Sequence, residues 1–170
     1  KDGKKIAFLS SESGSSQIWM MNADGSNRVQ VSDVDTDIQG FSFSPDETKI
    51  LYIKNIAYNE SIEKKHDDLP KSTGRVVKDL MYKHWDNWIE EIPHTYLADF
   101  DGKSINNSVD IIEGEPFELP ILPFGGIEQL SWSPDGKTIA YSCKKKTGKA
   151  YAESTDSDIY LYDIASKSSK

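Results

Sequence analysis

Leu130-Ser131-Trp132-Ser133-Pro134-Asp135-Gly136-Lys137-Thr138-Ile139-Ala140-Tyr141-Ser142 restates an earlier stretch of the same chain, Phe41-Ser42-Phe43-Ser44-Pro45-Asp46-Glu47-Thr48-Lys49-Ile50-Leu51-Tyr52-Ile53. Asp2-Gly3-Lys4-Lys5-Ile6-Ala7-Phe8-Leu9 is the same unit without its opening strand. A β-hairpin repeated along a chain is the signature of a propeller or a related array. In each copy an alternating run leads into a turn. Phe41 and Phe43 share one face and Ser42 and Ser44 the other, as in a half-buried strand. Proline fixes φ as the turn begins, and the following aspartate can bond nearby amides. Gly3 and Gly136 suit a position of positive φ; Glu47 fills it in the other copy, under strain or in a different turn. The exit strands, Ile50–Ile53 and Thr138–Tyr141, are apolar on both faces, which places them inside a sheet.

A third strand follows in every unit: Ile18–Gly25, Tyr96–Gly102 and Ile159–Ala165. Asp24-Gly25 and Asp101-Gly102 mark tight turns into short outer strands near Arg28–Val31 and Val109–Ile112. Four strands per unit is the content of one propeller blade. Ile6 and Ile50 are 44 residues apart, a typical blade length, but Ile50 and Ile139 are 89 apart. The excess lies between the second and third strands of one blade. The fold class expected is therefore all-β, a partial β-propeller of about three WD-like four-stranded blades, incomplete at its ends, with one helical insertion. The blades are expected over 1–37, 38–126 and 127–170, with the insertion over 55–93.

The insertion has two parts. Ser61 to Ser72 is charged, lacks alternation and reads as an exposed loop. From Thr73 to Ile92, the residues Val77, Met81 or Leu80, Trp85 or His84, Trp88 and Ile92 recur at helical steps, which predicts one helix ending at Pro93. Arg75 and Lys78 near its start and Glu90 and Glu91 near its end oppose the macrodipole. Glu90 and Glu91 are either solvated surface groups or receivers of a cation, such as the free amine of a peptide. Trp85 and Trp88 either pack on the propeller or form a ligand platform. His84 and His94 flank the region with Asp86 nearby, too few groups for a metal centre. Asp33, Asp35 and Asp37 alternate as in a calcium loop, but the required glycine and bidentate glutamate are absent, so they read as an inter-blade turn. No metal and no cofactor are expected.

The chain has 170 residues, 36% of them hydrophobic, with net charge −8, enough for one sizeable core. An isoelectric point of about 4.9 argues against nucleic acid and anionic membranes as partners. No apolar run approaches the ~20 residues of a membrane span. No secretory leader is visible, which says little of a chain that opens in mid-hairpin. Cys143 falls in a strand and reads as a buried hydrophobe. There is no Gly-x-Ser-x-Gly elbow, Walker loop or His-Glu-x-x-His. The segment itself is expected to be non-catalytic. Three blades do not close a ring, so the open terminal faces are expected to meet further blades or to self-associate.

The repeat resembles two groups: the N-terminal propeller of prolyl oligopeptidase family serine peptidases and the periplasmic propeller of the Tol system. Leu69-Pro70-Lys71, Asp79-Leu80-Met81-Tyr82-Lys83-His84-Trp85-Asp86, Ile92-Pro93-His94 and Pro123-Phe124-Gly125-Gly126-Ile127-Glu128 are similar to bacterial dipeptidyl-peptidase and acylaminoacyl-peptidase-like members of the first group. That resemblance implies a separate C-terminal α/β-hydrolase domain carrying a Ser-Asp-His triad, with the propeller gating access for short peptides. It also implies a periplasmic or cell-envelope location, and acidic side chains that hold a substrate's N-terminus. The candidate substrate-binding residues are Glu90, Glu91, Trp85, Trp88, His84 and Asp86. The Tol resemblance implies a protein–protein binding module without chemistry.

Overall fold

The computed structural model describes residues 2–59 and 62–170, with the backbone alone at 63 and 64. Ser61, the first residue of the expected exposed loop, lies outside the described residues. The repeat becomes three antiparallel sheets in chain order. The first holds β1 (Lys5–Ser10), β2 (Gln17–Asn22) and β3 (Val29–Gln30). The second begins with β4 (Ile38–Phe43) and β5 (Lys49–Ala57). The chain then leaves the sheet to form α1 (Ile62–Lys65) and a small hairpin of β6 (Lys83–His84) and β7 (Asn87–Trp88). It returns as β8 (Glu91–Phe100) and β9 (Ile105–Asp110), giving the order β4-β5-β8-β9. The third sheet contains β10 (Leu130–Trp132), β11 (Thr138–Cys143), β12 (Asp158–Asp163) and β13 (Ser168–Ser169), with α2 (Gly148–Glu153) between β11 and β12.

β5 shows why the exit strands are apolar on both faces. Ile50 and Tyr52 point into a core shared with Ile18 of the first sheet, Val31 of its connection to the second, and Ile38 of β4. Leu51 and Ile53 point the other way, into a core shared with Ile139, Tyr141 and Tyr162 of the third sheet. Each side of the strand therefore glues one neighbouring blade, and all four residues are buried. Cys143 is buried in the second of these cores, and burial raises its thiol pKa to about 11. Among the described residues one face of β12 is covered and the other is not: Tyr162 is buried, whereas Ile159 is 77% exposed and Leu161 40%.

The hairpin turns repeat closely. Gly3, Glu47 and Gly136 all have positive φ, at 73°, 58° and 68°. Ser44 Oγ donates to Asp46 at 2.7 Å and Ser133 Oγ to Asp135 at 2.7 Å. The Thr48 and Lys137 amides donate to the same two carboxylates at 3.1 Å. These bonds, led by the serine hydroxyl, hold the Asp46 carboxyl down at about 2. Further along, Tyr52 and Tyr96 are paired in register and stacked at 5.3 Å, as are Tyr141 and Tyr160 at 5.5 Å. Phe8 and Trp19 take the matching register position in the first sheet.

The helix expected over Thr73–Ile92 does not form. Residues 72–78 carry no regular structure, Lys83–His84 and Asn87–Trp88 pair as strands, and Glu91 already begins β8. Two physical reasons account for this. The β8 ladder pairs nine residues with β5, from Lys49 opposite Asp99 to Ala57 opposite Glu91, and takes the end of the supposed helix into the sheet. Gly74, Val76 and Val77 are poor helix formers, and the charges at both ends oppose a helix. The three- and four-residue recurrence of Val77, Trp85 and Trp88 is fortuitous: all three are exposed, while Met81, Ile89 and Ile92 are buried with Ile56, Tyr58 and Tyr151. In the insertion the helical content among the described residues is α1, four residues long.

Candidate functional site

In an antiparallel meander, the first and third turns of each sheet lie at one end and the second at the other. In the two four-stranded sheets the first and third turns are the short ones, and in the three-stranded first sheet the short turn is the second, at Asp24-Gly25. The opposite end gathers the long connections: 11–16, 31–37, 58–90, 111–129 and 144–157. Every candidate binding residue is at that end.

The β6–β7 hairpin and its flanks fold over the third blade. His84 Nε2 lies 2.5 Å from Glu118 Oε1, and the Tyr151 hydroxyl donates to Glu118 Oε2 at 2.8 Å. The Glu118 side chain is 1% exposed, so these bonds replace water around its carboxylate. Leu122 N adds a third, longer bond at 3.3 Å. Lys144 Nζ sits 3.7 Å from the Tyr151 ring centroid and donates to the Tyr151 carbonyl. Burial first, and the Glu118 carboxylate second, push the Tyr151 phenol well above its ordinary range. Burial pulls Lys144 below its own. At the start of α2, Gly148 has φ of 57°, and a Cβ there would collide with the Asp79 carboxylate. Three elements distant in sequence thus meet on one buried acid.

Trp85 occupies the turn between β6 and β7 with φ of 52° and is 72% exposed. Its ring stands edge-on to Phe124, 79% exposed, at 5.0 Å. Asp86, the other turn residue, is exposed. Trp88 faces elsewhere. Its ring carries the Arg75 guanidinium at 4.4 Å and Lys83 Nζ at 4.5 Å. Arg75 Nη2 also bonds Glu90 Oε1 at 2.8 Å. Arg75, Trp88 and Glu90 line a recess of about 330 Å³ walled by Tyr58, Met81, Tyr82 and Ile89. Glu91 has a different partner, accepting from Asn55 Nδ2 at 3.3 Å.

The six sequence candidates therefore divide. Glu90 and Trp88 share the recess, His84 belongs to the buried latch, Trp85 and Asp86 form an exposed tip, and Glu91 lies on the sheet. His94, also noted in the sequence, is fully buried in β8 with Nδ1 2.6 Å from Asp110 Oδ2. Among the described residues, no group of three or more His, Cys, Asp or Glu could hold a metal ion. Asp35 pairs with Lys54 and Asp37 accepts from Ser16 N, both in the connection from the first blade to the second. Sequence reasoning missed Glu118, Tyr151 and the pairing of Arg75. Glu118 had a signal: a lone acid within Pro116-Phe117-Glu118-Leu119-Pro120-Ile121-Leu122-Pro123 must find partners if that apolar run is buried.

Antiparallel sheets of three, four and four strands, joined in sequence and packed through shared apolar cores, define a β-propeller segment, here with an inserted hairpin at its long-connection end. The comparisons agree. No family model matches the chain. It is 53% identical over 165 residues to Dipeptidyl-peptidase 5 of Porphyromonas gingivalis, covering 97% of this chain and 24% of that protein. Dipeptidyl-peptidase 5 of Porphyromonas endodontalis is 41% identical over 164 residues, again covering 24% of its length. The chain thus spans about a quarter of the curated relatives it matches. Among solved structures, the acylaminoacyl peptidase of Pyrococcus horikoshii aligns with a TM-score of 0.59 at 16% identity, covering 99% of this chain and 23% of that one. A putative TolB from Agrobacterium tumefaciens aligns at 0.51 and 12%, covering 99% and 45%. These last two show the shared fold. The chain is thus homologous to one segment, about a quarter in length, of the bacterial proteins named Dipeptidyl-peptidase 5.

Proposed function

We propose that this segment gates a serine exopeptidase and positions the N-terminus of short peptides for a separate α/β-hydrolase domain of the parent chain. The observation that carries the reading is the Glu90 recess. A carboxylate and an aromatic face converge there on a cation, and the recess opens from the long-connection end of the blades. A carboxylate that fixes an ammonium sets which peptide bond reaches a nucleophile, because binding energy is spent on orientation. Glu90 is the first choice for this role and Glu91 the second; Trp88 flanks the bound amine. Trp85, Asp86 and His84 shape the approach.

The test uses the full-length parent peptidase. Glu90→Gln is expected to raise KM for peptides with free N-termini by about tenfold, the scale of a charge-assisted hydrogen bond. N-acylated peptides should show no such change. Unchanged kinetics in both Glu90→Gln and Glu91→Gln would remove the clamp. Absence of any peptide hydrolysis by the parent would leave a binding propeller of the Tol kind instead.

We further propose a cell-envelope location, which fractionation of the source cells tests. The outward face of β12, with Ile159 and Leu161 exposed, is proposed to drive self-association of the isolated segment. A monomer in sedimentation would end that proposal.

A further inference from the structure

We infer that Arg75 is a built-in competitor for the peptide amine, occupying Glu90 and Trp88 until a substrate displaces it. This rests on the reading of Glu90 given above and adds a residue that tunes it. One guanidinium satisfies both features that a cation site offers: a carboxylate oxygen at 2.8 Å and an aromatic face at 4.4 Å. A peptide ammonium needs the same two features, so the two cations exclude one another.

The two halves of the pair are held very differently. The Glu90 carbonyl accepts from Tyr58 N at 2.9 Å and Asn59 N at 3.0 Å, and Asn59 Nδ2 donates to the Ile89 carbonyl at 2.6 Å. The acceptor is thus pinned to the base of the insertion, where β5 and β8 are still paired. Arg75 sits on 72–78, which is neither helix nor strand. Its side chain is 38% exposed and that of Glu90 44%, so water reaches the pair and its dissociation costs little. A fixed carboxylate with a loosely tethered cation favours exchange of the cation.

The remaining charges of the recess sharpen the expectation. Lys65, His66 and Lys78 line it together with Arg75, against Asp79 and Glu90. With so many basic groups nearby, an incoming ammonium gains most when it replaces a cation rather than joining one. Apparent affinity then equals the intrinsic value reduced by the fraction of molecules with Glu90 unoccupied.

Arg75→Gln and Arg75→Ala in the full-length peptidase test this, with one dipeptide-releasing substrate carrying a free N-terminus and its N-acylated counterpart. KM for the free amine is expected to fall about threefold to tenfold, the scale of an exposed ion pair plus a cation–π contact. Turnover number and the acylated substrate should change by less than about twofold. Arg75→Lys keeps a cation and should stay near the parent KM. In a Glu90→Gln background, Arg75→Gln should have no further effect. A KM that rises or stays level in Arg75→Gln and Arg75→Ala, while Glu90→Gln alone raises it, overturns the competitor and leaves the clamp standing. A silent Glu90→Gln removes Glu90 as the clamp, and the competitor with it.

Discussion

The connections β1–β2, β5–β8 and β11–β12 hold the same place in their blades yet share almost nothing. The first is six residues, 11–16. The second, 58–90, carries a hairpin, a recess and half of a buried latch, and the third, 144–157, supplies Tyr151 and Lys144 to that latch. At the opposite end the Ser-Pro-Asp turns are near copies. One end of the molecule is set by a local rule, serine hydroxyl and amide onto aspartate, that works wherever it is placed. The other is set by contacts between segments far apart in sequence, which no local rule encodes.

That contrast can be broken at its foundation first. Leu51 is fully buried between the second and third blades. Leu51→Ala is expected to cost about 2–5 kcal/mol of stability, read from denaturant unfolding of the full-length protein. Because the loss is in the blade core, both ends should loosen together. His84→Ala acts at one end alone. It removes one partner of the buried Glu118 carboxylate, at about 1–3 kcal/mol, while Tyr151 and Leu122 still bond it. Faster hydrogen exchange confined to 62–90 and 144–157 is the expected signature; uniform loss of protection across the sheets would mean that the latch is part of the core.

The smallest effect is expected at the copied turns. The Asp46 pKa is depressed to about 2 and that of Asp135 is also lowered, led in both by a serine hydroxyl. A carboxylate held below its unfolded pKa of 3.8 stabilises the fold fully above that value. The contribution fades as pH falls through the interval from about 4 to about 2. Asp46→Asn should flatten the acid limb of thermal stability slightly in that window. Because both aspartates are exposed, solvent screening keeps the change small. An acid limb identical in Asp46→Asn and parent would show that the turn bonds do not couple to folding.

Strand content, blade count and tight turns are legible in the sequence because each depends on neighbours a few residues away. Alternation at Phe41–Ser44, two-sided apolarity at Ile50–Ile53 and a residue of positive φ after the aspartate all have local causes. That an insertion lies between the second and third strands of one blade is legible too, from the spacing of Ile50 and Asp99 set against that of Ile6 and Asn22. Its conformation is not. The recurrence of Val77, Met81, Trp85 and Trp88 fits a helix, but the competing demand comes from β5, which pairs with residues through Glu91. Of the candidate site, Glu90 and Trp88 were visible as residue types. Their meeting with Arg75 depends on how an irregular segment returns past β7, and nothing in its composition states that.

The β5–β8 ladder has a mechanical side. It pairs nine residues where β1–β2 and β11–β12 each pair six, so its last rungs project past the neighbouring sheets. The inner rungs are clamped between two apolar cores, while the outer ones carry Tyr58, Asn59 and Glu90. Such a beam, fixed at one end and free at the other, concentrates any bending of the insertion at its root, where the two apolar cores grip β5.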